Sequence, residues 1–273
     1  MRTPSNEAAA ARRDSGAPAS SVPARALPAR PLPVRVLLVV AAVASLTWLW
    51  GPVLNPAIDP MRAYVSELAA ADQPHRRVFM AGDLVMGLCL AVAGVLVWRR
   101  ASCSRRRWGG AGFLVSGLAT VVDALSPMDC SPSLSATCEA AEEAGRVSFL
   151  HTVHGVSSVA VVVGQVMSMV LLTALMGRGR RAGWVLVWAW ALCYLLTLLA
   201  AVDLLGPLGE PSLGLWQRLG LLLGSAWWVW LALDRDRPAA GLSSTARSGD
   251  AGPRPAGSRS GRRPGPAPPS GCP

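Results

Sequence analysis

Two histidines three residues apart open one of the long apolar segments of the chain. His151 and His154 lie in residues 148–158, SFLHTVHGVSS, and the run VAVVVGQVMSMVLLTALM follows directly. An imidazole nitrogen can hold a proton or a metal ion, and a histidine inside a membrane is costly without a partner. Asp83 and Asp123, in two other apolar segments, supply carboxylates. We predict that these four side chains form one polar cluster.

The donor types in this cluster are ones that Zn²⁺ accepts. His151, His154 and Asp123 are therefore the candidate ligands of a divalent metal such as Zn²⁺. The same residues could instead form an ion pair, or a hydrogen-bonded clamp between helices. The sequence leaves the three alternatives open, and each of them requires Asp123 to lie beside the histidines, with Asp83 nearby.

The composition places these residues in a membrane protein. Of the 273 residues, 52% are hydrophobic and only 15% are charged, whereas soluble domains carry about 25% charged residues. A net charge of +10 would suit a nucleic-acid partner. We exclude that partner, because the arginines cluster beside apolar segments and in the tails, where they orient a protein in the lipid bilayer.

The elements that must position the cluster are six apolar segments, most of them about 20 residues long, as a bilayer-spanning helix requires. The sequence thus predicts an all-α fold, a six-helix transmembrane bundle formed by residues 34–233. Residues 1–33 and 234–273 are rich in Ala, Gly, Pro, Ser and Arg and are predicted to be disordered tails. The predicted spans are residues 36–54, 78–98, 109–128, 148–176, 184–205 and 215–233.

The arginines also predict the orientation of the chain. Twenty-one of the 26 lie in the two tails and in the loops on the same side as the tails, and five lie on the other side. The positive-inside rule then makes both termini cytoplasmic. The absence of Lys and the single Ile are typical of a high-GC bacterial coding bias, so we expect a multi-pass protein of a bacterial cell membrane.

With this orientation, the ionisable residues near the spans all fall in the outer part of the membrane. The first outer loop, with a predicted amphipathic helix over residues 62–71, carries Ser66 and Glu67. Asp203 and Arg218 lie at the outer ends of the last two spans. We expect these four residues at the outer mouth of the bundle.

Cys130 and Cys138 are close together in the second outer loop. The compartment outside the membrane permits disulfides, so we predict a bond between them. This bond would hold the end of the third span near the start of the fourth. Gly220 and Gly224, in the sixth span, form a GxxxG pattern, which is typical of helix packing within one chain or of a homo-oligomer.

Several short motifs resemble one known family. They are DPMRAYVSELAA followed by GDLVMG, then VDALSPMDC, then SFLHTVHGVSS, and they recur with the spacing seen in the bacterial membrane proteins called domain of unknown function 998. The resemblance covers about residues 35–233. It implies a six-helix integral membrane protein and supplies no established reaction.

Three classes of function are compatible with these features. A non-catalytic scaffold, sensor or partner of another membrane protein is favoured, because the potential catalytic motifs are weak. A membrane-embedded metal-dependent hydrolase acting on lipid is one alternative. A proton-coupled transporter is the other, although the charged residues stop in the outer half of the membrane.

Overall fold

A computed structural model describes residues 32–176, 180–206 and 212–234. Within these ranges every regular element is helical, so the predicted all-α class is confirmed there. The predicted disorder of the two tails concerns residues that lie almost entirely outside the described ranges. The first helix begins at Leu32, inside the segment predicted as the N-terminal tail. The α-helices are α1 (Leu32–Ala44), α2 (Gly51–Leu54), α3 (Arg76–Arg99), α4 (Ser104–Leu125), α5 (Ala136–Glu143), α6 (Phe149–Thr173), α7 (Arg180–Ala201) and α8 (Leu213–Leu233).

Five segments of the described chain are long and apolar enough to cross a membrane, by length and composition: Leu32–Leu54, α3, α4, α6 and α7. The sixth predicted span corresponds to α8, which has 21 residues but is not among the five. Gln217 and Arg218 near its beginning reduce its apolar character. The predicted count of six is thus confirmed for five segments.

The first span is interrupted rather than continuous. α1 ends at Ala44, residues Thr47–Trp50 form a 3₁₀ turn, and α2 follows. Pro52 explains the interruption, because its ring lacks an N–H and collides with the carbonyl four residues earlier in a regular helix. Ser45 adds to the break, since its hydroxyl donates to the carbonyl of Ala42 at 2.8 Å.

The long helices pack in a cyclic order that leaves one weak seam. α1 lies between α3 and α8, α4 lies between α3 and α6, and α7 packs on α8, whereas α6 touches α7 only lightly. Large apolar side chains fill the centre, among them Leu38, Phe113, Met169 and Trp227, all fully buried. The α6–α7 seam is therefore the least tightly packed neighbour contact of the bundle.

Glycines let α4 approach its two neighbours at backbone distance. A Cβ on Gly94 of α3 would lie 2.5 Å from the amide nitrogen of Leu114. On the other side of α4, a Cβ on Gly164 of α6 would lie 2.6 Å from the amide nitrogen of Ser116. Real Cβ atoms do not come this close to backbone, so the two contacts fix how α3, α4 and α6 are aligned.

Two loop segments, residues 55–75 and 126–148, pack together over the end of the bundle where α6 begins; we call them the cap. The predicted amphipathic helix over residues 62–71 is only a short 3₁₀ turn, Val65–Ala69. The turn replaces the helix because Ala70 adopts an extended conformation and the next residue, Ala71, donates its N–H to the carbonyl of Met128 at 2.8 Å.

Candidate functional site

The Gly164–Ser116 contact determines which residues meet at the cap end of α4 and α6. The two helices run antiparallel, so moving seven residues up α4 from Ser116 reaches Asp123, and moving seven residues back along α6 from Gly164 reaches Ser157. Seven residues are about two helical turns. The side chains of Asp123 and Ser157 are indeed in contact, with the Ser157 hydroxyl donating to Asp123 Oδ1 at 2.6 Å.

Three donors from α6 converge on that single carboxylate oxygen. Ser158 donates to Asp123 Oδ1 at 2.9 Å, and His154 Nδ1 lies 3.4 Å from the same atom. His154 Nδ1 is also 3.4 Å from the backbone carbonyl oxygen of Asp123. Both neighbours of Nδ1 are oxygen atoms, so this geometry suits the tautomer with the proton on Nδ1. The structure thus brings together Asp123 and His154, two of the four residues of the predicted cluster.

His151 lies one turn earlier and faces different carboxylates. Its Nδ1 is 3.8 Å from Asp129 Oδ2, and its Nε2 is 3.8 Å from Glu142 Oε1. The backbone N–H of Asp129 also points to His151 Nδ1, at 3.4 Å. His151 is 5% exposed. The structure therefore separates the two histidines, and His151 joins α6 to the cap rather than to Asp123.

Asp129 is held by the first turn of α6. It accepts hydrogen bonds from the backbone N–H and the hydroxyl of Ser148, and the Ser148 hydroxyl oxygen accepts from the N–H of His151 as an N-cap. These bonds from Ser148, together with the nearby His151, lower the pKa of the Asp129 carboxyl below its ordinary value. Asp129 is consequently an ionised partner for His151 at neutral pH.

Sequence reasoning missed Asp129, Glu142 and Ser157. Asp129 and Glu142 lie in the second outer loop, where no helical spacing relates them to His151. Ser157 could have been found, because it follows His154 by three residues and such neighbours share a helix face. Asp83, the fourth predicted member, is half-buried on α3. It is near enough to Asp123 for the two carboxylates to repel each other when both are ionised.

The geometry does not assemble a metal site or a catalytic triad from these residues. Within the described ranges no three His, Cys, Asp or Glu side chains are grouped so that they could hold a metal ion, because the His151 ring turns to Asp129 and Glu142 instead of Asp123. In a serine hydrolase, the serine hydroxyl bonds to the histidine. Here the acceptors within hydrogen-bond distance of the Ser157 hydroxyl are Asp123 Oδ1, at 2.6 Å, and the backbone carbonyl oxygen of His154, at 2.9 Å, so the imidazole does not activate it.

The cap holds the predicted outer-mouth residue Glu67, which is 1% exposed. Glu67 accepts hydrogen bonds from the backbone N–H and hydroxyl of Ser133 and from the N–H of Tyr64. Burial raises the pKa of the Glu67 carboxyl, and the Ser133 bonds oppose that rise. Ser66 beside it is half-buried, with its hydroxyl 3.5 Å from Met128 Sδ. Glu67 therefore links the two loop segments of the cap.

Arg218 fastens the cap to α8. Its Nη1 donates to the carbonyl oxygens of Ala63 at 2.8 Å and Gly214 at 3.1 Å, and its guanidinium lies 5.8 Å from the Trp48 ring centroid. The side chain is buried. Asp203 is different, because it is exposed in the turn after α7, with a left-handed φ of 53°.

The remaining predicted features are also placed. Cys130 and Cys138 form the predicted disulfide, with a Cα–Cα distance of 6.1 Å. Gly220 and Gly224 of α8 pack within the chain, where a Cβ on Gly220 would lie 2.7 Å from the Tyr194 ring and one on Gly224 would lie 3.4 Å from Trp190 Nε1. A homo-oligomer through this pair stays a prediction.

A helical bundle with five apolar, membrane-length segments and polar groups gathered at one end is the architecture of a multi-pass membrane protein. Residues 38–234 match the family described as Protein of unknown function (DUF998), which is most of the chain. The chain therefore belongs to that family. Comparison with curated proteins and with solved structures gave no significant match.

Proposed function

We propose that the protein is a non-catalytic sensor of a bacterial cell membrane, crossing it six times with both termini cytoplasmic, and that protonation at the cap is its signal. The single observation that carries this proposal is the pair of buried histidines at the start of α6. They face carboxylates on three separate segments: Asp123 on α4, Asp129 in the loop that follows, and Glu142 on α5.

Protonation would turn each histidine–carboxylate contact into an ion pair, and it would replace the hydrogen bond that His151 Nδ1 accepts from the Asp129 N–H. A neutral imidazole shares at most a hydrogen bond with a carboxylate, whereas a charged imidazolium forms an ion pair with it, and histidine is the side chain that changes charge between about pH 5 and 8. His151 would then draw α5 towards α6, since Glu142 is exposed on α5. The α4–α6 contact is closely packed through Gly164 and Ser116, so α5 is the element that would move.

The six-span topology with cytoplasmic termini is supported by the arginine distribution and by the packing of α8 against both α1 and α7. Its test is a pair of reporter fusions, at positions 20 and 245. Both should give a cytoplasmic signal, and an external signal from either would contradict the topology.

The sensor is tested by measuring the distance between α5 and α6 as pH changes. Spin labels would be placed at the exposed positions Glu143→Cys and Thr152→Cys. The full-length protein would keep the Cys130–Cys138 disulfide, with Cys89, Cys103, Cys193 and Cys272 replaced by Ala. We expect the distance distribution to narrow and shorten as the pH is lowered from alkaline to acidic values. His151→Gln should abolish the change.

His75 is the matched control, because it is exposed and makes none of these contacts with α5 or α6. His75→Gln should leave the pH response intact. A response that survives in His151→Gln, or that disappears equally in both variants, would contradict the proposal.

A further inference from the structure

Deeper in the bundle, a second group of polar side chains has no role in the cap. Ser116 on α4, Gln165 on α6 and Trp228 on α8 are 1%, 4% and 6% exposed, respectively. Both amide atoms of Gln165, the Ser116 hydroxyl and the Trp228 indole nitrogen have no hydrogen-bond partner among the described residues. Leaving such groups unsatisfied in an apolar interior costs free energy, and in a membrane no bulk water reaches them.

All three residues line one partly open cavity, with a volume of about 40 Å³, between α3, α4, α6, α7 and α8. Thr120 also lines the cavity, and its hydroxyl donates to the backbone carbonyl of Ser116 at 2.8 Å. The rest of the wall is apolar or aromatic and includes Leu90, Trp190 and Tyr194. The lining holds no Asp, Glu, Lys, Arg or His, so it favours an uncharged occupant. By volume it would hold roughly three water molecules or one small polar group.

We propose that this cavity binds the hydroxyl end of a neutral, long-chain amphiphile from the membrane. The unpartnered atoms set the chemistry: Gln165 Oε1 needs a donor, while Gln165 Nε2, Trp228 Nε1 and Ser116 Oγ can donate. A hydroxyl supplies one donor and two acceptor lone pairs, which matches the mixture of donor and acceptor atoms in this lining. A carbonyl alone would leave Gln165 Oε1 without a donor.

The position of the cavity indicates the lipid phase as the source of the ligand. Gln165 and Ser116 lie near the middle of α6 and α4, far from the cap. Val161 and Val162 of α6 and Trp190 and Tyr194 of α7 line the cavity beside the weakly packed α6–α7 seam. An alkyl chain can lie in that seam because both sides of it are apolar.

The test uses full-length protein in phospholipid nanodiscs and a long-chain primary alcohol that carries a diazirine. The control probe is the same chain ending in a methyl ether, which can accept a hydrogen bond but cannot donate one. After irradiation, peptide mapping should find the alcohol on residues 161–165 and 190–194. Labelling by the ether should be about tenfold weaker, as expected for the loss of about one hydrogen bond.

Two variants separate binding from folding. Gln165→Leu removes the unpartnered amide, so it should fold with unchanged or higher thermal stability and lose about tenfold of the alcohol labelling. Gly224→Ala places a methyl group in the cavity wall, 3.4 Å from Trp190 Nε1, an ordinary contact distance. It should fold normally and also reduce labelling.

Competition identifies the source. Excess unlabelled long-chain alcohol should displace the probe, whereas aqueous 1,2-propanediol should not. If the diol competes as well as the long-chain alcohol does, the ligand does not need to come from the membrane, and that part of the proposal is wrong. The site itself is overturned if both probes label equally, if Gln165→Leu has no effect, or if labelling is confined to lipid-facing residues such as Val159 and Trp188. Absence of label from the lining residues would mean that water alone occupies the cavity and would also overturn the site.

Discussion

Asp123 Oδ1 lies 3.4 Å from His154 Nδ1 and accepts hydrogen bonds from both serines one turn further along α6. This relationship joins α4 to α6 at the end of the bundle that the cap covers. His151, on the same face, interacts instead with the cap through Asp129 and Glu142. The histidine pair therefore serves two connections, one within the bundle and one to the cap.

The first prediction is that Asp123 couples energetically to His154 and not to His151. In double-mutant cycles with Asp123→Asn, His154→Gln should show an interaction free energy of about 0.5–3 kcal/mol, the range for residues in contact. His151→Gln should add to Asp123→Asn within about 0.5 kcal/mol. The free energies of unfolding would be measured in detergent. Equal coupling of Asp123 to the two histidines would contradict the finding that only His154 contacts Asp123.

The second prediction concerns the close contact of α4 and α6. Gly164→Ala should destabilise the protein by at least about 1–3 kcal/mol, because its Cβ would lie 2.6 Å from the Ser116 nitrogen and 2.7 Å from the Gly112 oxygen. Gly155→Ala on the same helix is the control, since nothing lies within 4 Å of its Cβ. This variant should be neutral or stabilising by up to about 1 kcal/mol. Thermal unfolding measures the stability change of each variant. Similar changes for the two variants would contradict the close approach of α4 and α6 at Gly164.

The third prediction is a pH dependence that involves Ser148. Ser148→Ala removes the N-cap of α6 and a hydrogen bond to Asp129, and it should cost about 1 kcal/mol through the lost cap. The folded-state pKa of Asp129 lies below its unfolded value, which is about 3.9. Ionised Asp129 thus stabilises the fold above that pH, and the contribution is lost as pH falls through the folded pKa.

Because Ser148→Ala returns the Asp129 pKa towards its ordinary value, the stability difference between the variant and the wild type should be largest near neutral pH. It should shrink in acid to the contribution of the cap alone. Thermal midpoints recorded from about pH 7 to pH 3 test this. In an Asp129→Asn background the effect of Ser148→Ala should not vary with pH through this group, and a difference that grows in acid would contradict the assignment.

The fourth prediction is that Arg218 holds the first loop segment of the cap on α8. Arg218→Met should cost about 2–3 kcal/mol, because it breaks charged hydrogen bonds to the carbonyls of Ala63 and Gly214. It should also speed proteolysis within residues 55–75. Arg77→Ala, at an exposed arginine of α3, is the control. It should change neither the free energy of unfolding nor the rate of proteolysis within residues 55–75. Unchanged proteolysis in Arg218→Met would show that the loop is held in another way.

The sequence by itself determined the class of the protein and the positions of its long helices. Apolar runs of membrane length are local features, so their existence, the Gly220–Gly224 pattern and the proximity of Cys130 to Cys138 follow without tertiary information. The interruption of the first span is also local in part, because Pro52 disturbs a regular helix through its own covalent structure, although the sequence predicts residues 36–54 as one span.

Only the tertiary structure decided which polar groups meet. A helix face is shared by side chains about 3.6 residues apart, so the sequence predicts that His151 and His154 lie in one cluster with Asp123 and Asp83. The Gly164–Ser116 approach then set the α4–α6 alignment, which brings Asp123 level with His154 and Ser157. His151 is left level with the cap, and its partners come from a loop and a short helix. The contacts of His151 with Asp129 and Glu142 depend on the path of the chain between α4 and α6, which cannot be predicted from helical periodicity.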